Sequence, residues 1–366
     1  MKKHSDLYKK VLVVLLSFGV LFAIGFMDPD VKNIDEALRN IEPGWIAGAF
    51  LCILLYYFLD GLMMHFTIKV MGYPQSMFEN MLTTMVGFFY SALTPFQSGG
   101  QPAQVIQMRG RGIPVGVSTS VMIVKFIAWQ ISVVILGILG LFWHGTAAFG
   151  SSIGSMTILI FGYLINGGVL LLSALAMFRF KWISSLGINS LNLGRRIHVI
   201  KSDEALERHR AGWQNTVNEY REATRFTLAN PKTMFLIWLI SFAEAFFYMA
   251  VTYCVYRAFG LSAYSLVHVV LLQSMLFIAV SFIPLPGASI ASEGGFYLVF
   301  SDLFSIGARF PAMLIWRVFT YYASLILGLV AVVIDGFLAK RPKRSRQNAA
   351  SPELAGAAVQ TREEEN

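Results

Sequence analysis

Five charged side chains stand in stretches that are otherwise apolar: Asp60, Lys125, Glu244, Glu293 and Arg317. At the middle of a bilayer each would cost about 2.5–3.5 kcal/mol, so each needs a counter-charge or a polar ligand. Glu244 lies near the centre of its run, out of reach of an interface. It is expected to bind substrate or to pair with Lys125 or Arg317. Asp60 is near the end of its run, and Lys125 is placed where its long side chain can snorkel. Arg317 sits in the first half of the last run. A structural ion pair is the competing reading for all five.

Two further apolar stretches are interrupted. One reads Ser91-Ala92-Leu93-Thr94-Pro95-Phe96-Gln97-Ser98-Gly99-Gly100-Gln101-Pro102-Ala103-Gln104. The other reads Ser281-Phe282-Ile283-Pro284-Leu285-Pro286-Gly287-Ala288-Ser289-Ile290-Ala291-Ser292-Glu293-Gly294-Gly295-Phe296. Each passes from an apolar helix through proline into small and polar residues and then a glycine pair. Irregular backbone at membrane depth survives only where protein or a water-filled cavity satisfies it. The candidate substrate pathway is therefore Thr94, Pro95, Ser98, Gly99, Gly100, Gln101 and Gln104 in the first break. Pro286, Gly287, Glu293, Gly294 and Gly295 form its counterpart in the second. Half-helix N-termini near Gly99-Gly100 and Ala288–Ser292 would present free N–H groups to an anion such as phosphate. Asp60, Glu244 or Glu293 would hold a cationic amine, and Ser98, Gln101 and Gln104 would bond hydroxyls. The plainer alternative is that Pro and Gly only kink packed helices.

No cofactor or metal is expected. The six histidines are scattered, and no GxxxxGK[ST] phosphate loop occurs. Cys52 and Cys254 lie in apolar runs and read as packing residues, not as a disulfide.

The elements that hold these residues follow from composition. The chain has 366 residues, of which 56% are hydrophobic and 14% charged, against about 25% charged in an average soluble domain. Mean hydropathy is +0.60. This excludes a cytosolic enzyme, a secreted disulfide scaffold and a disordered chain. The expected fold is an all-α polytopic membrane bundle of about six full spans plus two broken, re-entrant hairpins, arranged as an inverted repeat. The full runs are 11–27, 44–64, 115–143, 152–178, 233–258 and 310–338. The arms of 80–108 are too short to cross; those of 264–305 fit two crossings or a hairpin.

Net charge is +8, read as cytoplasmic Lys and Arg facing anionic headgroups, not as a nucleic-acid surface. Four lysines occupy the first ten residues, segment 179–232 has ten Lys/Arg against five Asp/Glu, and 340–346 has five Lys/Arg. The loop 28–43 is acidic. Both termini are therefore expected in the cytoplasm, with Arg257 and Arg309 as mild exceptions. The transmembrane domain is 1–339, including a cytoplasmic segment 179–232 with an amphipathic helix through Leu206, Trp213, Val217, Tyr220, Thr224 and Leu228. That helix is expected to lie on the membrane or on the bundle. Residues 340–366 read as a basic, then disordered, tail.

The blocks Thr94-Pro95, Gly99-Gly100-Gln101-Pro102-Ala103-Gln104, Pro286-Gly287 and Glu293-Gly294-Gly295-Phe296 resemble the membrane domain of lysylphosphatidylglycerol synthases, the flippase-like family, in order and spacing over roughly 8–338. The resemblance implies a bacterial or archaeal inner-membrane protein. It would move a phospholipid such as aminoacylated phosphatidylglycerol between leaflets, with membrane phospholipids and a separate lipid-modifying enzyme as partners. The family label also carries phosphatidylglycerol lysyltransferase activity and resistance to cationic antibiotics. The 28 residues after the last run are too few for that catalytic domain, so no catalytic centre is expected here. A secondary transporter of a small polar solute is the other open reading. Which lipid moves, what drives it and the oligomeric state are not set by the sequence.

Overall fold

The computed structural model describes residues 38–339, apart from residues 74, 151 and 282. The expected first span 11–27, most of the acidic loop and the tail 340–366 lie outside the described residues. In chain order the first helices are α1 (Pro43–Val70), α2 (Met77–Leu93), α3 (Gly100–Gly110), α4 (Val115–His144), α5 (Ile153–Phe178) and α6 (Phe180–Arg196). Then come α7 (Asp203–Leu228), α8 (Pro231–Ala258), α9 (Leu266–Val280), α10 (Ala291–Val299), α11 (Ile306–Arg317) and α12 (Ala323–Ala339). The described chain contains no strand. It is an all-α polytopic membrane bundle.

Five helices have the length and apolarity to cross a bilayer: α1, α4, α5, α8 and the continuous stretch Gly307–Leu338. That last stretch joins α11 to α12 through a π turn, Val318–Tyr322. α1 and α8 form a tight pair, with Ala49, Val251 and Val255 fully buried between them. Cys52 and Cys254 are free thiols whose Sγ atoms lie 3.9 Å apart. α9 is surrounded by protein because small residues let it in. A Cβ at Gly162 of α5 would stand 2.6 Å from Ala279 Cα, and one at Gly140 of α4 would stand 2.6 Å from the Leu271 carbonyl.

The broken regions are both hairpins. α2 and α3 pack on each other, as do α9 and α10. At 1.5 Å per residue the longest arm spans about 26 Å, short of the roughly 30 Å apolar core of a bilayer. Chain order sets their directions. The first hairpin leaves from the end where α1 stops and returns there to start α4. The second leaves from the end where α8 stops and returns there to start α11. Two contacts fix the ends. Arg111, just after α3, pairs with Asp335 near the end of α12 at 2.6 Å, and Gln107 donates to the same carboxylate at 2.8 Å. At the other end His144 of α4 stacks edge-on against His268 of α9, centroids 4.3 Å apart. The two hairpins therefore enter from opposite ends, and their turns touch in the middle.

Segment 179–232 is two helices. α7 buries Leu206, Val217, Tyr220 and Thr224, as its periodicity requires. It docks on α4, where Ser120 and Thr224 share a hydrogen bond of 2.8 Å and Glu219 accepts the N–H of Gly116. α6 lies against α7 through Trp213, whose indole donates to the Ser184 carbonyl. Its opposite face carries Trp182, Leu186, Leu193 and Ile197, all exposed.

Candidate functional site

The two hairpin turns share a backbone pattern just after their prolines, and differ at the residue before the returning helix, where Gly99 has φ −81° and Ile290 φ 70°. In the first, Pro95 is followed by Phe96 at φ 57° and Gln97 at φ 55°. In the second, Pro286 is followed by Gly287 at φ 60° and Ala288 at φ 48°. In each case the next helix begins five residues after the proline, at Gly100 and at Ala291. The internal repeat is thus registered on the prolines. Gly99-Gly100 corresponds to Ile290-Ala291, not to Gly294-Gly295 as the paired glycines suggest. Left-handed backbone at bulky Phe96 and Ile290 is costly, and here it is held by neighbours. Thr94 locks the first turn, accepting the N–H of Gly99 at 2.8 Å and donating to the Tyr90 carbonyl at 2.8 Å. In the second, a Cβ on Gly287 would overlap the ring of Tyr321.

Between the turns and the spans is a cavity of about 360 Å³. Three spans furnish it with the same two-residue device. Tyr56 and Asp60 on α1, Trp129 and Lys125 on α4, and Tyr248 and Glu244 on α8 all line it. Residues four apart on a helix share a face and are separated by about 6 Å along its axis. Because α1 runs opposite to α4 and α8, the charges fall in one layer and the aromatics in the next. The aromatic layer is continuous. Ring centroids are 5.0 Å apart for Tyr56–Tyr248, 5.9 Å for Tyr56–Trp129 and 6.3 Å for Trp129–Tyr248.

The charges form two pairs, and Glu244 is in neither. Lys125 Nζ donates to Asp60 at 2.8 Å. Arg317 donates to Glu293 Oε1 at 2.7 Å and also reaches the Gly287 carbonyl at 3.2 Å. Both pairs are buried. Glu244, expected either to bind substrate or to pair with one of these cations, pairs with neither. It is 2% exposed, and its Oε2 has no hydrogen-bond partner among the described residues. Each cation already has a carboxylate delivered by another element: α1 faces α4, and the start of α10 faces the end of α11.

Of the sequence candidates, Ser98, Gly100, Gln101, Gln104, Gly287, Asp60, Lys125, Glu244 and Arg317 line the cavity. Gln104 reaches it by lying over Gly87, where any Cβ would collide with it. Thr94, Pro95, Gly99 and Pro286 shape the turns. Glu293 stands behind Arg317. Gly294 and Gly295 lie inside α10 without breaking it; Gly294 faces open space and Gly295 packs on Leu276. Neither half-helix N-terminus is capped by a side chain. Reading the sequence for charges alone missed Tyr56, Trp129 and Tyr248. The spacing that would have found them is an aromatic four residues from each buried charge.

Residues 10–328 match the family described as the lysylphosphatidylglycerol synthase TM region. A UPF0104 membrane protein of Archaeoglobus fulgidus is 25% identical over 298 residues, covering 78% of this chain and 84% of the relative. The family match runs through the two broken hairpins and the spans that carry the buried charges, and the chain belongs to the lysylphosphatidylglycerol synthase transmembrane-region family.

Proposed function

We propose that this protein is a lipid translocase whose central cavity carries a phospholipid headgroup between leaflets. The observation that carries this reading is the rim of the cavity at the first turn. Phe96, Gln97 and Ser98 all line the cavity and all are exposed, Phe96 at 51%, so an apolar ring sits beside polar groups at its mouth. Ile290, just before α10 in the second turn, is 56% exposed. A mouth where polar and apolar side chains stand together suits a headgroup that enters sideways while its acyl chains stay in lipid. The uncapped start of α3 at Gly100 and Gln101 suits the phosphate, and the charged layer suits a polar or cationic remainder. Aminoacylated phosphatidylglycerol is one lipid of this kind. The same reading puts the chain in a bacterial cell membrane with both termini cytoplasmic, supported by the Lys and Arg of 179–232 and 340–346. A separate lipid-modifying enzyme would supply or consume the lipid.

Opposed broken hairpins meeting at mid-depth also suit a secondary transporter of a small polar solute. One experiment separates the two. Purified protein is reconstituted into vesicles with headgroup-varied fluorescent lipids, and a membrane-impermeant quencher reads leaflet exchange. Protein-dependent exchange of at least one lipid is expected. Uptake of a polar solute without any lipid exchange would replace this reading by the transporter.

A further inference from the structure

Among the described residues three carboxylates are buried, Asp60, Glu244 and Glu293, and two cations, Lys125 and Arg317. Both cations are committed, to Asp60 and to Glu293. Glu244 is the carboxylate left over. A lone ionised carboxylate is expensive to bury, so Glu244 is met either by a proton or by a positive occupant, and the cavity beside it has room for the second. Glu244 lines the cavity, and the other titratable groups of that lining are Tyr56 and Asp60 of α1, Lys125 of α4, Tyr248 of α8 itself, Arg317 of α11 and Tyr321 of the π turn. The second hairpin and α9 add no further charge to the lining; α9 contributes Gln273, whose Oε1 already accepts from Thr252 at 2.8 Å.

The kind of cation follows from what surrounds that charge. One turn along, the aromatic layer of Tyr56, Trp129 and Tyr248 is extended by two more rings. Phe88 lies 5.1 Å from Tyr56, and Phe277 lies 6.0 Å from Trp129 and 5.7 Å from Tyr248. All five rings border the cavity. A primary ammonium carries three N–H donors and needs acceptors for them. Among the described carboxylates of this cavity only Glu244 has no cation. Aromatic faces instead favour a methylated ammonium, which donates no hydrogen bond and is held by the ring quadrupoles. We propose that Glu244 together with the ring of Tyr56, Phe88, Trp129, Tyr248 and Phe277 is a binding site for a quaternary ammonium group. The group is carried by a small solute or by a lipid headgroup. The inference rests on the cavity being a ligand site, and it holds whether or not lipid is translocated.

The test is equilibrium binding of tritiated choline to purified protein in a maltoside detergent, which has no ammonium of its own. Saturable binding is expected, displaced by tetramethylammonium, with ethanolamine at least tenfold weaker. Glu244→Gln is expected to weaken choline binding at least tenfold. Trp129→Leu and Tyr248→Leu leave every charge in place and are expected to weaken it by a similar factor, so the test does not depend on the Glu244 variant folding. A short-chain phosphatidylcholine that competes more tightly than free choline assigns the group to a lipid; the reverse order assigns it to a solute. No saturable choline binding, ethanolamine competing as well as choline, or full binding in these variants would overturn the site. Binding without lipid exchange in vesicles would remove the translocase reading and leave this site standing.

Discussion

Arg317 binds Glu293 and the carbonyl of Gly287 with a single guanidinium. The carboxylate lies 2.7 Å away and the carbonyl 3.2 Å away. A cation near the middle of the last span thereby ties the second hairpin's turn to its returning helix. Tyr321, one turn further on, donates to the Ala92 carbonyl at the end of α2. One face of the π turn thus touches both hairpins where they meet.

The first prediction concerns that tie. Removing one member of a buried pair strands the other and costs about 3–5 kcal/mol. Glu293→Gln and Arg317→Met should each lower the thermal midpoint in detergent and the yield of monodisperse protein. The double variant Glu293→Gln with Arg317→Met should be more stable than either single, because no charge is left alone. A Glu293→Gln protein of wild-type stability would mean that the pair does not support the fold.

The five described spans were legible because hydropathy over twenty residues depends little on where the helices pack. The breaks were legible because Pro95, Pro286 and their glycines cannot continue a helix. The pairings were not. Asp60 and Lys125 are 65 positions apart, and which cation meets which carboxylate depends on which faces the helices turn to each other. The repeat register was hidden for a related reason. Glycine at 294 and 295 looks like punctuation, yet glycine inside a helix is only mildly unfavourable and α10 simply includes both. α6 escaped notice because four large apolar residues, Trp182, Leu186, Leu193 and Ile197, are diluted by Ser, Asn and Gly.

The glycines of the second hairpin give the next prediction. Gly287 combines a φ of 60° with the ring of Tyr321 pressed against the place of its missing side chain. Gly294 has nothing within 4 Å of a built Cβ. Gly287→Ala should therefore abolish most folded protein. Gly294→Ala should change stability by no more than about 0.5 kcal/mol, or stabilise α10 slightly. Size-exclusion profiles of fluorescent fusions distinguish the two. Equal tolerance at both positions would contradict the turn geometry.

Contact between the hairpin turns predicts a cross-link. In a background with Cys52 and Cys254 replaced by Ala, Gln97→Cys and Ala288→Cys should be bridged by a short bis-maleimide within one chain. Cleavage at an engineered protease site in segment 197–202 then leaves the two halves joined on a denaturing gel. The same pair separating into two bands after full labelling would show that the turns are apart.

The last prediction fixes the molecule in its membrane. The described spans alternate, so α1 and α12 end on one side, together with Arg111, and α8 ends on the other. The Arg111–Asp335 pair at 2.6 Å supports that shared end directly. The Lys and Arg of 179–232 lie on the same side, since α5 leads into that segment and α8 leads out of it. Positive charge is retained in the cytoplasm, so this side is expected to be cytoplasmic and the side bearing residues 259–265 external. Reporter fusions truncated after residues 35, 112, 262 and 350 should then be active alternately. The phosphatase signal belongs to 35 and 262, and the cytoplasmic fluorescent signal to 112 and 350. If 112 and 350 reported opposite sides, the shared end of α3 and α12 would be wrong and the opposed entry of the two hairpins would fall with it. If all four reported the reverse side, the bundle would stand and only its orientation would be inverted.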